Sequence, residues 1–276
     1  MFKKHPLFFY LLFTFLLSWI FWTIPIMQSL GVYDNNAFSS AFGLGVLFPM
    51  VVAVLLSMQI FGGKGLRDLG SRFSLKGVHF KWYLISAFSF LAISFATLLI
   101  YSLLYGSPES IFRYFAISNY ITSMPILLLF ATFEEVGWRG FALPILRNRF
   151  NALTASIILG VIWTVWHLPK LISEGTTDSY SLIIILFFGI LFSIFISWLY
   201  ENSNGSITLA ILTHAAGNAA IYAISSDLLT KIGYNRPSII FVIVLFVSIS
   251  AIVFFNGVNL KNCKQSDHSD TTIKQA

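Results

Sequence analysis

Three ionisable residues, Glu134, Glu135 and Arg139, stand close together in the otherwise oily stretch "ATFEEVGWRGFALP". Two further polar positions interrupt apolar runs: His167 in "VIWTVWHLP", and His214 with Asn218 in "ILTHAAGNAA". Carboxylate and imidazole in a largely dry cavity are suited to activating water. A carboxylate taken out of water holds a proton more tightly and becomes a better base. A neighbouring imidazole can share the water's proton or act later as the acid. An Asn or His N–H can stabilise the oxyanion of a tetrahedral intermediate. Together these are the parts of peptide hydrolysis without a covalent nucleophile. Glu134, His167 and His214 are also a plausible ligand set for a first-row divalent metal such as zinc. The H-E-x-x-H helix of the zincins is absent, and no spacing demands the ion.

The elements that must position these groups are membrane helices. The 276-residue chain is 57% hydrophobic and only 10% charged, with a mean hydropathy of +0.81. A soluble domain carries about 25% charged residues. On a ruler of about 20 apolar residues per crossing, eight windows qualify: 6–30, 38–61, 82–105, 120–146, 152–172, 179–200, 205–224 and 237–257. The fold class expected is therefore all-α, a polytopic membrane protein of about eight transmembrane helices. Residues 1–257 form a single integral membrane domain, and 258–276 a polar, disordered cytoplasmic tail. Lys3 and Lys4 precede a first apolar run too long for a signal core, so that run reads as a retained helix. The single cysteine, Cys263, rules out a disulfide framework and a Cys-based metal site.

The net charge of +6 follows topology rather than nucleic acid. With the N-terminus cytoplasmic, the inside segments hold Lys3, Lys4, Lys64, Arg67, Arg72, Lys76, Lys81, Arg147, Arg149, Lys261, Lys264 and Lys274. The outside loops hold Arg113, Lys170, Lys231 and Arg236. Twelve against four, with Arg139 inside a window, fits the positive-inside rule for an even number of spans with both termini cytoplasmic. No nucleic-acid partner is expected. The bilayer, the plasma membrane in a prokaryote, is the expected environment.

A charge at the bilayer centre costs about 2.5–3.5 kcal/mol on insertion scales, so the fourth window must turn its charges inward. Glu135 and Arg139 are four apart and can neutralise each other, which by itself is an ordinary structural pair. Glu134 lies about 100° round the helix and has no partner within its own window. Its company is expected from His167, His214 and Asn218. Ala215, Ala216 and Gly217 between the last two allow close approach of a neighbour. Trp163 shares a helix face with His167, and Pro169 disturbs the helix beyond it. Each polar group alone could be interhelical glue. An unpaired Glu, two His and an Asn gathered on three of eight windows instead mark a functional centre.

Three ordered motifs carry a resemblance: E-E-x-x-x-R as "EEVGWR" (134–139), aromatic-x-x-x-His as "WTVWH" (163–167) and H-x-x-x-N as "HAAGN" (214–218). The chain resembles the CPBP family, the CAAX-protease and bacteriocin-processing membrane proteins also called Abi. Members commonly have Phe where Trp163 stands, a departure that keeps the aromatic character. The matched core covers about residues 120–224. The resemblance implies a CAAX-type prenyl endopeptidase-like bundle and an intramembrane endopeptidase acting on a hydrophobic or lipidated peptide, related to enzymes that remove the last three residues of a CAAX protein. It implies that Glu134 activates water with His167, that His214 and Asn218 hold the oxyanion, that Glu135 supports the site and that Arg139 orients the glutamates. Family members are often labelled metalloproteases. Two alternatives from other classes are a proton-coupled transporter, since Glu and His at mid-membrane also make proton relays, and a non-catalytic immunity partner against a peptide toxin such as a bacteriocin. The transporter lacks support from an inverted repeat or paired broken helices.

Overall fold

The computed structural model describes residues 1–29, 31–32, 41–105, 115–224 and 235–261. In chain order the elements are α1 Pro6–Ser29, α2 Ala41–Gly45, α3 Phe48–Ser71, α4 Lys81–Tyr105 and α5 Ile117–Gly137. A π-helical turn, Trp138–Ala142, continues α5 into α6 Leu143–Arg147. Then follow α7 Ala152–Trp166, α8 Leu168–Ser173, α9 Ser179–Asn202, α10 Ile207–Tyr222 and α11 Asn235–Asn256. Among the described residues there is no strand, only an isolated bridge between Phe115 and Ile224. The fold is all-helical, as the composition requires.

Each of the eight sequence windows holds a helix. Of these, α1, α3, α4, α9 and α11 are long and apolar enough to cross a bilayer by length and composition. The shorter α7 and α10, of 15 and 16 residues, are apolar, and α5 carries the charges. The helices start where sequence offers caps. Asn151 accepts a hydrogen bond from the Thr154 N–H at 2.8 Å to open α7, and Asp178 accepts from the Ser181 N–H at 2.9 Å to open α9.

Two window boundaries need correction. The second window spans 38–61, but α3 begins at Phe48 and runs to Ser71, through the first half of what reads as a glycine-rich loop. Pro49 in the first turn fits a helix start. Gly62 then breaks the regular geometry with φ +60°, a conformation glycine adopts without penalty. After that break the chain resumes as a helix that buries Gly65 and Leu69. The fifth window, 152–172, is two helices with His167 at the joint. Pro169 cannot supply the N–H that a continuous helix needs, so it sits instead in the first turn of α8. The other calls on the tail beyond 261, on Cys263 and on the Arg113 and Lys231 loops fall outside the described residues.

The buried side chains form two clusters. One gathers α1, α3, α5 and α7 around Trp22, Trp138 and Trp166; the other gathers α4, α9, α10 and α11 around Phe90, Phe192 and Leu245. Trp163, Met124 and Leu127 pack against both, so α5 and α7 lie at the seam. The outer faces are apolar as lipid demands: Leu12, Leu16 and Ile20 make an exposed row on α1. The small residues of α10 do what their size allows. A Cβ on Gly217 would collide with the Phe192 ring of α9, so α9 and α10 close tightly beside His214.

Candidate active site

The site is built around the C-terminal end of α5, where the helix opens into a π turn. The Leu143 N–H bonds the Trp138 carbonyl five residues back, the wide spacing of a π turn. Glu135 is fully buried and Arg139 is 2% exposed. Arg139 Nη1 donates to Glu135 Oε1 at 2.8 Å, confirming the pairing that the i,i+4 spacing foretells. Its Nη2 donates to the Ser193 hydroxyl at 3.2 Å and also reaches the Ser193 carbonyl at 3.4 Å. This ties α5 to α9.

His214 of α10 points into the same knot. Its Nδ1 lies 2.6 Å from Glu135 Oε1. A carboxylate can only accept, so Nδ1 carries the hydrogen and Nε2 is left to face elsewhere. His167 follows the same logic on the other side: its Nδ1 is 2.9 Å from the Trp163 carbonyl, also an acceptor. Again Nε2 is the free nitrogen. The His167 ring packs edge-on against Trp163 and Trp166, with centroids 4.5 Å away in both cases, and stacks with Trp22 at 5.8 Å. Three aromatic contacts fix its direction without using its second nitrogen.

The expectation that Glu134 finds His167, His214 or Asn218 as its company is corrected in one respect. Its hydrogen-bond partner is the Trp163 indole, whose Nε1–H donates to Glu134 Oε2 at 2.6 Å. His214 bonds Glu135 instead, so Glu135 is shared between an arginine and a histidine rather than neutralised by Arg139 alone. Trp163 is the hub of the arrangement: it holds Glu134, caps His167 and lies edge-on to His214 at 5.8 Å. Asn218, one turn beyond His214, is half-buried and makes no side-chain hydrogen bond among the described residues. Its amide is uncommitted.

Burial sorts these residues into two layers. Glu135, Arg139, His214 and Ser193 are sealed, at 0–2% exposure. Glu134 keeps 6%, and Trp163, His167 and Asn218 are half-buried. The second layer is the more exposed of the two, and the first packs beneath it. Among the described residues, no three His, Cys, Asp or Glu side chains converge as a metal-ligand set. Glu134, His167 and His214, although right in type for zinc, are not gathered as such a set.

Sequence reasoning passed over Ser193 and Tyr10. Tyr10 of α1 is fully buried and packs on Trp138 and Phe141, with ring centroids 5.5 and 5.2 Å away. A serine or tyrosine within an apolar run is common and carries no spacing signal. Trp163 yields a direct test. Trp163→Phe keeps the ring but removes the N–H, and kcat is expected to fall about tenfold, the worth of one hydrogen bond. Steady-state kinetics checks this, and an unchanged kcat would show that the indole N–H does not orient Glu134.

Residues 116–220 match the family described as type II CAAX prenyl endopeptidase, Rce1-like. The chain is 28% identical over 261 residues, 90% of its own length and 93% of the relative's, to a CAAX prenyl protease 2 of Methanococcus maripaludis. The matched segment contains all three motifs and every residue of both layers. With its apolar helices and these likenesses, the chain is a multi-pass integral membrane peptidase whose core is similar to the Rce1-like type II CAAX prenyl endopeptidases of the CPBP group.

Proposed function

We propose that the protein hydrolyses a peptide bond next to a lipidated cysteine, using water activated by Glu134 and His167. The observation that carries this is the unequal treatment of the two glutamates. Glu135 is sealed and bonded to Arg139 and His214, whereas Glu134 is held at one oxygen by Trp163 and keeps 6% exposure beside the half-buried Trp163. In the proposed cycle Glu134 and His167 Nε2 share a water, and Glu134 removes its proton as the oxygen attacks the peptide carbonyl. The oxyanion is met by the Asn218 amide and by the Nε2–H of a doubly protonated His214, whose Nδ1–H is committed to Glu135. Glu134 then returns the proton to the leaving amine. Arg139 pairs with Glu135, keeps it in place, and so fixes His214.

The substrate class rests on the relative's name, a CAAX prenyl protease. Peptides bearing an isoprenyl cysteine near their C-terminus are the first choice, presented from the bilayer. We place the catalytic unit at about residues 120–224 within a 1–257 membrane domain, both termini cytoplasmic. The transporter and immunity-partner alternatives draw no support from the geometry or from either comparison.

The experiment is cleavage by purified protein in liposomes of a fluorescent peptide with a farnesylated cysteine fourth from its end. Release of the terminal tripeptide is expected from the farnesylated peptide and not from its unmodified twin, and it should persist after treatment with EDTA. Cleavage indifferent to the lipid would contradict the substrate class, and loss of activity on chelation with recovery on zinc would contradict the metal-free route.

A further inference from the structure

Buried polar atoms normally find partners, and an unpartnered one calls for an explanation. Around the Glu134–Arg139 segment several lack one among the described residues: Glu135 Oε2, Arg139 Nε, Trp138 Nε1, and on α1 the Tyr10 and Thr14 hydroxyls. Tyr10 and Thr14 are four apart, fully buried, and share with Ser18 the face of α1 opposite its lipid-facing row. Ser18 meets the Gly45 carbonyl at 2.7 Å. Thr14 differs from the other buried threonines. Thr97, Thr164 and Thr213 each return their hydroxyl to the carbonyl four residues back, at 2.7–2.9 Å, while Thr14 makes no such bond. Its hydroxyl is turned from the carbonyls of its own helix to the Tyr10 phenol, and through it to another helix.

The direction of Tyr10 shows what that is. A Cβ on Gly137 would collide with the Tyr10 hydroxyl, and would also meet the Pro49 carbonyl at 2.5 Å. The phenol therefore ends against α5 itself, between α5 and α3. Its contacts Gly137, Trp138 and Phe141 stand three, four and seven residues after Glu134, the same face of the helix. Tyr10 lies within electrostatic reach of Glu135, Glu134 and Arg139, with Thr14 beside it. Donors and acceptors of both kinds thus surround one small region behind the reacting carboxylate. A polar site with several unpaired groups is what holds ordered water in a protein interior.

We propose that Tyr10 and Thr14 hold buried water against the Glu134–Glu135 segment, making Tyr10 a positioning residue for the catalytic glutamate. This rests on the function proposed above only for its kinetic readout. A water bridge from α1 would restrain the end of α5 where the π turn loosens it. It would also link the first helix, which lies outside the family-matched segment, to catalysis.

Two isosteric variants test it, Tyr10→Phe and Thr14→Val, each reconstituted in liposomes with the farnesylated peptide. Each is expected to lower kcat about tenfold with KM unchanged, as loss of one positioning hydrogen bond would. Neither should raise the thermal midpoint, because a bonded hydroxyl is being removed. The double variant should be no slower than the slower single, since both act through one water cluster. Overturning the proposal takes the opposite pair of results: kcat unchanged and a raised midpoint, the behaviour of a hydroxyl buried without any partner. If Tyr10→Phe fails to fold, Thr14→Val alone decides. A Glu134→Gln control separates the two levels: activity retained there would overturn the function, while the thermal midpoints still report whether the hydroxyls are bonded.

Discussion

Glu134→Gln is expected to leave a folded, membrane-inserted protein whose cleavage rate falls by about 10²–10⁴-fold, the contribution of a general base. The change is nearly isosteric. A glutamine oxygen can still accept the Trp163 N–H, so the indole and the His167 it caps should stay in place. Fold stability should hold or rise, because Arg139 pairs with Glu135 alone and the buried carboxylate beside that pair becomes neutral. The separation of rate from stability is the signature to look for. A thermal midpoint at or above wild type with cleavage near background would fit; a rate within threefold of wild type would not.

Arg139→Ala is expected to act in the reverse way, mainly on the fold. Glu135 has no exposure, and its Oε1 serves both Arg139 and His214. Removing the guanidinium strands a carboxylate in the interior, which typically costs about 3–5 kcal/mol. It also frees the Ser193 hydroxyl and carbonyl from their α5 tether. Poor yield and a lowered thermal midpoint should follow, with activity lost as a consequence. The double variant Arg139→Ala/Glu135→Gln should recover part of the midpoint, since it removes the stranded charge. A single variant as stable as wild type would show that the pair does not hold α5, α9 and α10 together.

Much of this was legible in the sequence because the bilayer restricts what a chain can do. Long apolar runs had to be helices, and charges within them had to face inward. The Glu135–Arg139 bond follows from a spacing of four on a helix. The legible part ends where contacts cross between helices. Nothing in "HAAGN" says that His214 will bond Glu135 rather than Glu134, because helix–helix rotation decides it. Trp163 was visible as an aromatic departure, but not as the donor that holds Glu134. Gly62 reads as part of a glycine-rich loop, yet it is a break within α3, and the residues after it are helical. The π turn at Trp138–Ala142 has no propensity signature; it widens α5 where Glu135 and Arg139 are fixed by partners on two other helices.

The central claim is that Glu134 acts on the water rather than on the fold or on substrate binding. Single-turnover cleavage of the farnesylated peptide by Glu134→Gln in liposomes, with binding followed in the same samples by fluorescence anisotropy, tests it most directly. Binding within about threefold of wild type with cleavage slowed by about 10²–10⁴-fold is the predicted result. Cleavage at the wild-type rate, or a defect confined to binding, would contradict it.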